Sequence, residues 1–256
     1  IGDPDVPTPQ PVYDAFRAFN DPVLSYGPAQ GFKELHVAMC EYFAGYNIPI
    51  APDNIIVTTG GSEAILFAFN VVADPGDEII VFEPFYTNYN GYAYFANVGL
   101  VPLTLRGEDG FRLPPDKEIE AKITKRTRAI LLCSPNNPTG TVYTPEELER
   151  IARIVKKHNL YLIGDEVYKE LVYDGLVHKS ILEYKEIEDR TIVVDSISKR
   201  FSCCWARIGA LITRSKDIYG AALKFAQARL CPPSVEQKAA IAAYKMGLKY
   251  FEPVRA

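Results

Sequence analysis

Arg128-Ala-Ile-Leu-Leu-Cys-Ser-Pro-Asn-Asn-Pro-Thr-Gly140 joins an apolar run to a polar loop held by two prolines. An apolar run with no polar alternation predicts a strand covered on both faces. The same reading extends outward. Residues 54–59, 77–82, 101–105, 161–164, 191–194 and 210–213 are further short strands, β-branched or apolar. Residues 31–44, 62–72 and 89–97 read as helices; Leu35, Met39, Tyr42 and Phe43 recur at helical spacing in the first. Thr144-Pro145-Glu146-Glu147 opens another helix, with Thr144 as cap and Pro145 at its first position. Asp74-Pro75-Gly76 is a turn. The opening, with prolines at 4, 7, 9 and 11, is expected to be extended and not helical through residue 12. Strand and helix alternate, so the fold class is α/β, a mainly parallel sheet sandwiched between helices. In such sheets ligands bind beyond the carboxyl ends of strands. Gly60-Gly61-Ser62, residues 83–86, residues 134–140, Asp165 and residues 196–199 lie at such ends.

Composition narrows the function. The 256 residues are 48% hydrophobic and 23% charged, as in globular proteins, and the net charge of −4 gives no basis for binding nucleic acid or a membrane surface. Cysteines at 40, 133, 203, 204 and 231 have no metal-ligand spacing, and their odd number argues against a disulfide framework. A reducing, cytoplasmic setting is expected. No signal peptide and no apolar run long enough to span a bilayer is visible in the sequence. The chain begins at Ile1 without a methionine and stops at Phe-Glu-Pro-Val-Arg-Ala, which reads as a piece of a longer protein.

Several rim segments carry chemistry, each beside a plainer reading. Gly60-Gly61-Ser62 lets backbone amides at a helix start approach an anion, although a tight turn uses glycine without any ligand. Asn137, fixed between prolines, is a donor for a ring oxygen or part of a rigid loop. Asp165 ends a strand in Gly-Asp-Glu-Val-Tyr. It could cap a helix or pair with a base; opposite a pyridine nitrogen it would keep that nitrogen protonated. Glu166 is the rival carboxylate and ranks lower. Tyr168 could bond the same ring oxygen as Asn137, and Tyr86 could stack on a ring face or serve as a core aromatic. Lys199 lies in Asp-Ser-Ile-Ser-Lys-Arg-Phe-Ser, and Arg207 follows eight residues later. A desolvated lysine is a Schiff-base nucleophile, and an arginine with Ser196 can fork a phosphate. Together these are the parts that grip pyridoxal phosphate. His36, His158 and His178 fall outside the rim, and no metal arrangement or Ser/His/Asp set stands out.

Taken in order, Gly2-Asp3-Pro4-Asp5, Tyr26-Gly27-Pro28-Ala29-Gln30-Gly31, Gly60-Gly61-Ser62, Pro84-Phe85-Tyr86, Asn137-Pro138-Thr139-Gly140, Asp165-Glu166-Val167-Tyr168, Ser196-Ile197-Ser198-Lys199 and Arg207-Ile208-Gly209 resemble the class I/II aminotransferases of PLP fold type I, related to aspartate aminotransferase. The match runs nearly the whole chain. It implies a PLP-transferase large domain over 31–256, an N-terminal arm and loop over 1–30, and truncation at both ends with the C-terminal small domain absent. It implies that Lys199 carries pyridoxal 5′-phosphate as a Schiff base and moves the proton between substrate α-carbon and cofactor C4′. By the same resemblance Asp165 pairs with the ring nitrogen, Asn137 and Tyr168 contact the ring oxygen, and Tyr86 stacks on the ring. Gly61, Ser62, Ser196 and Arg207 hold the phosphate. Tyr26 reaches the phosphate of a partner subunit, so a homodimer is implied. The Glu83–Pro84 and Asn137–Pro138 bonds are expected to be cis. The implied activity is transfer of an amino group from an amino acid, aspartate or another common donor, to a 2-oxo acid in amino-acid biosynthesis. Another fold-type I reaction such as C–S lysis, or the PLP-binding domain of a transcription regulator, would use the same scaffold. A nucleotide-binding α/β protein would use the Gly-Gly turn but leave Lys199, Arg207 and Asp165 unexplained. Phe201-Ser202-Cys203-Cys204-Trp205-Ala206 departs from the commoner pattern, and Trp205 could crowd the site or simply pack.

Overall fold

The computed structural model describes residues 2–23 and 25–255; Ile1 and Ala256, at the ends of the expected arm and domain, and Leu24 lie outside them. In chain order the elements are α1 (Gln10–Arg17), α2 (Lys33–Ala44), β1 (Ile55–Thr59), α3 (Gly60–Val72), β2 (Glu78–Glu83), α4 (Asn88–Ala96), β3 (Gly99–Thr104) and α5 (Asp116–Glu120). They continue as β4 (Thr127–Cys133), α6 (Pro145–Lys157), β5 (Tyr161–Asp165), β6 (Thr191–Ser196), α7 (Ile197–Arg200), β7 (Ile208–Ile212), α8 (Lys216–Arg229) and α9 (Ser234–Lys245). The chain forms two compact units, Ile65–Val194 and Ile1–Ala64 with Asp195–Ala256.

In Ile65–Val194 the strands run in the order β6-β5-β4-β2-β3, each pair parallel. Along β4 only Arg128 is exposed, and β5 is buried from Leu162 onward. This is the burial expected of a parallel sheet covered on both faces, and it explains the unbroken apolar runs. Helix α6 shows how local sequence fixes an element. Thr144 Oγ1 accepts from the Glu147 amide at 3.3 Å, and Glu147 Oε2 accepts from the Thr144 amide at 2.8 Å. This closes a capping box over Pro145, while Lys156 and Lys157 complement the last turn. Leu148, Ile151, Ala152 and Val155 form its buried face. His158 sits just past the helix as its C-cap, 3.0 Å from Glu120.

In the other unit β1 and β7 pair antiparallel, with Thr59 opposite Ile208. The core there draws on Leu35, Met39 and Phe43 of α2 and on Ala240 and Tyr244 of α9. Arg200, 1% exposed, pairs with the buried Asp195, whose other oxygen accepts from Tyr244 Oη at 2.9 Å. The rings of Tyr42 and Tyr244 lie 5.4 and 5.6 Å from the guanidinium. One expectation is corrected: residues 10–12 are helical, because α1 begins at Gln10 with Pro11 in its first turn. Proline is tolerated there because its missing N–H has no partner to lose and its fixed φ suits the helix, and burial of Val12 anchors the turn. Among the described residues no helix is long and apolar enough to cross a membrane.

Candidate functional site

In Ile65–Val194, parallel pairing brings the carboxyl ends of β4 and β5 together. Cys133 registers with Asp165, and the Ser134 amide donates to the Asp165 carbonyl at 3.1 Å. The Asp165 side chain is 4% exposed. It accepts from Tyr89 Oη at 2.7 Å and from the Val167 amide at 3.4 Å. Burial pushes its carboxyl up to about 6; Tyr89 and the Val167 amide pull down, and Glu166 adds a smaller push upward. Glu166 is committed elsewhere. Its Oε1 accepts from Ser180 Oγ at 3.0 Å and the Ile181 amide at 2.9 Å, and its Oε2 lies 3.2 Å from His178.

Asn137 Nδ2 donates to Tyr168 Oη at 3.3 Å, leaving the tyrosine's own hydrogen available to another acceptor. Burial is the main cause that lifts Tyr168 to about 12. Tyr86 is half-buried, accepts from Asn88 Nδ2 at 2.8 Å and meets Tyr89 edge-on at 5.5 Å. Burial leads, with Tyr92 and Asp165, in raising its phenol. Tyr89 was not among the residues read from sequence. It lies three residues beyond Tyr86, at the start of the stretch 89–97 read as a helix, and that position is the only signal it leaves. The Glu83–Pro84 and Asn137–Pro138 bonds are cis as expected, and Ser134–Pro135 is cis as well.

The other unit gathers Gly61, Ser62, Ser196, Lys199 and Arg207. Because β1 and β7 are antiparallel, the end of β1 and the start of α3 adjoin the residue before β7, Arg207. A Cβ on Gly60 would lie 2.2 Å from Arg207 Nη2, so the guanidinium rests over the first turn of α3. Gly60 has φ +73° and Arg207 φ +50°. Gly209 has no room for a side chain either: its Cβ would meet the Gly60 carbonyl carbon at 2.5 Å. Arg207 Nη1 donates to the Cys204 carbonyl at 2.8 Å and to Ser198 Oγ at 3.5 Å. Ser196 Oγ donates to the Ile208 carbonyl at 3.2 Å, contacts Ser198 Oγ at 2.9 Å and caps the Ser198 amide at 3.1 Å. Ser198 is thus a second hydroxyl that the sequence reading did not single out. A guanidinium, serine hydroxyls and the first-turn amides of a thirteen-residue helix are a donor set for a phosphate dianion. Lys199 is half-buried and donates through Nζ to the Gly2 carbonyl at 2.6 Å. Trp205 is 54% exposed and packs on Phe16, ring centroids 4.5 Å apart. Tyr26 is 80% exposed. Among the described residues no group of three or more His, Cys, Asp or Glu is placed to hold a metal.

Comparison with known proteins identifies the family. Residues 1–252 match the profile of aminotransferase class I and II, and the chain belongs to that family. It is 34% identical over 244 residues to an aspartate/prephenate aminotransferase of Thermus thermophilus, covering 94% of this chain and 62% of that protein. It is 34% identical over 260 residues to an aspartate aminotransferase of Bacillus subtilis, covering 99% and 65%. The chain therefore spans less than two thirds of the length of these relatives. Among solved structures, an aspartate aminotransferase of Thermotoga maritima superposes with a TM-score of 0.91 at 35% identity over 98% of this chain and 67% of that one. An aromatic aminotransferase of Pyrococcus horikoshii gives 0.93 at 33% identity, covering 100% and 69%. The fold is that of the α/β PLP transferases of fold type I, and the cofactor of the family is pyridoxal phosphate.

Proposed function

We propose that the protein is a PLP-dependent aminotransferase that moves an amino group from an amino acid of the aspartate type, or another common donor, to a 2-oxo acid. The observation that carries this is Asp165. Among the described residues the groups acting on this buried carboxyl are Tyr89, the Val167 amide and Glu166, none of them a cation. Its ionised form is penalised by burial, and a protonated pyridine nitrogen is the partner that would relieve it. In the other unit, the donor set around Arg207 is of the kind that binds a phosphate group.

In this reading Asp165 holds the proton on the ring nitrogen, and Asn137 and Tyr168 donate to the ring oxygen. Tyr86 packs on the ring face, and Gly61, Ser62, Ser196 and Arg207 grip the phosphate. When bound, the cofactor serves as the electron sink for the bond broken at the substrate α-carbon. Lys199 supplies the amine that fixes the cofactor and then takes and returns the proton at that carbon. Residues 1–30 act as an arm and 31–256 as the cofactor-binding domain. Tyr26, exposed on its own subunit, reaches the partner subunit's phosphate, which makes the working form a homodimer. The names of the aspartate aminotransferase relatives support the donor class. Free cysteines at 40, 133, 203, 204 and 231 suit a reducing cytoplasm.

The test is borohydride trapping of the purified protein after incubation with pyridoxal phosphate, followed by peptide mapping. A pyridoxyl group on Lys199, with release of a 2-oxo acid from an amino acid without free ammonia, is the expected result. A folded protein that takes no pyridoxyl on Lys199 would overturn the proposal, and ammonia release would turn it toward a lyase.

A further inference from the structure

Lys199 has a second neighbour besides the Gly2 carbonyl. Its Nζ donates to the sulfur of Cys204 at 3.8 Å. The contact is built locally: α7 ends at Arg200, and the 3-10 turn Cys204–Ala206 brings residue 204 back beside residue 199. Cys204 is half-buried, so a small oxidant can reach it, and its thiol also donates to the Ser198 carbonyl at 3.2 Å. The adjacent Cys203 is fully buried, with its sulfur directed at the Phe201 carbonyl at 3.1 Å. An amine and a reachable thiol thus face each other, and the nearest alternative sulfur is shut away.

We propose that Lys199 and Cys204 form a peroxide-driven, thiol-reversible sulfur–nitrogen cross-link. In the first step a peroxide oxidises the Cys204 thiol to a sulfenic acid: the S–H and O–O bonds break, an S–O bond forms and one water leaves. In the second step the neutral Lys199 amine attacks that sulfur. An S–N bond forms, the S–O bond breaks, and the hydroxyl departs with one amine hydrogen as a second water. Overall, hydrogen peroxide is reduced to two waters and the pair loses two hydrogen atoms. Two equivalents of a small thiol restore the amine and the cysteine and leave as a disulfide. The functional consequence rests on the role proposed above for Lys199: a nitrogen bound to sulfur cannot condense with an aldehyde, so oxidation closes the protein to its cofactor.

The experiment treats the cofactor-free protein with stoichiometric hydrogen peroxide and maps its tryptic peptides. Cleavage after Lys199 is expected to be lost, and peptide 191–200 is expected to appear joined to peptide 201–207 with a deficit of two hydrogens. Dithiothreitol is expected to separate them. The joined species should persist in Cys203→Ser and vanish in Cys204→Ser, and the map of the unaltered protein carries the proposal without either variant. Peptide 201–207 lighter by two hydrogens but unjoined would show a Cys203–Cys204 disulfide and overturn it. Cys204 recovered only as sulfinic acid, or untouched, would do the same. In parallel, the borohydride-fixed pyridoxyl on Lys199 is expected to be lost after peroxide and regained after thiol. If the cross-link forms but the reduced protein never takes pyridoxyl on Lys199, the cross-link stands and the aminotransferase reading falls.

Discussion

At the residue scale the most consequential group is the Asp165 carboxyl. Its folded value of about 6 lies above the ordinary 3.8, because burial outweighs the hydrogen bonds from Tyr89 and the Val167 amide. A carboxyl raised in the folded state contributes stability that is complete below the unfolded value and is lost as pH climbs through the folded one. The cofactor-free protein should therefore be destabilised through Asp165 between about pH 4 and pH 6, by up to about 3 kcal/mol for a shift of roughly two units. Asp165→Asn removes that titration. Urea unfolding of both forms across this window should show the variant gaining on the parent as pH rises, and parallel curves would contradict the assignment. Tyr89 is the stronger of the two donors that keep Asp165 from rising further, since its hydroxyl donates to Oδ2 at 2.7 Å. Tyr89→Phe should move the transition upward by about one pH unit, as expected for losing a hydrogen bond to a charged acceptor worth about 1.5 kcal/mol. Asp165 was legible because a carboxylate closing an apolar strand is an anomaly that asks for a partner. Tyr89 was not, because among 29 Phe and Tyr residues only the folded helix α4 shows which ring turns toward Asp165.

At the element scale the decisive junction is the turn from β1 into α3. Gly60 adopts φ +73°, and any side chain there would strike the Arg207 guanidinium. Gly60→Ala strains the backbone and displaces the cation from the first turn of α3 at once. It should cost more than about 1 kcal/mol in unfolding free energy. It should also weaken binding of pyridoxal phosphate more than binding of the phosphate-free aldehyde pyridoxal. Equal losses for the two ligands would show that only the fold was damaged. Thr144→Ala is the contrasting case at α6: loss of the cap should cost roughly 1 kcal/mol and leave ligand binding unchanged. The elements legible in sequence were those with strong local chemistry, such as the Thr144-Pro145 start and the apolar run of β4. Helix α1 was misread because proline marks both an extended segment and a first helical turn, and only the buried Val12 decides between them. Helix α8 has no counterpart among the helices read from sequence. Its inward residues Ile218, Ala222 and Ala226 include two alanines, which give little hydrophobic contrast.

At the scale of the whole molecule, the proposed dimer turns on Tyr26. A tyrosine 80% exposed on its own subunit contributes little to that subunit's core, and an exposed hydroxyl can serve a neighbour. If it donates to the partner subunit's bound phosphate, Tyr26→Phe should weaken pyridoxal phosphate binding about tenfold to a hundredfold, the loss of one hydrogen bond to a charged acceptor. Sedimentation should return the mass of a dimer. A mixed-subunit experiment then separates service to a neighbour from service within one chain. Tyr26→Phe and Lys199→Ala subunits are mixed, allowed to exchange and titrated with the cofactor. In a hybrid dimer with tyrosines acting across the interface, the site holding the intact Lys199 also receives the intact Tyr26 from its partner. That site should bind with the unaltered affinity, while its mate takes no pyridoxyl. If the tyrosine acted within its own chain, the site with the intact lysine would keep the weakened affinity of Tyr26→Phe. Recovery of tight binding on mixing therefore supports the shared site, and its absence in a verified hybrid dimer overturns it.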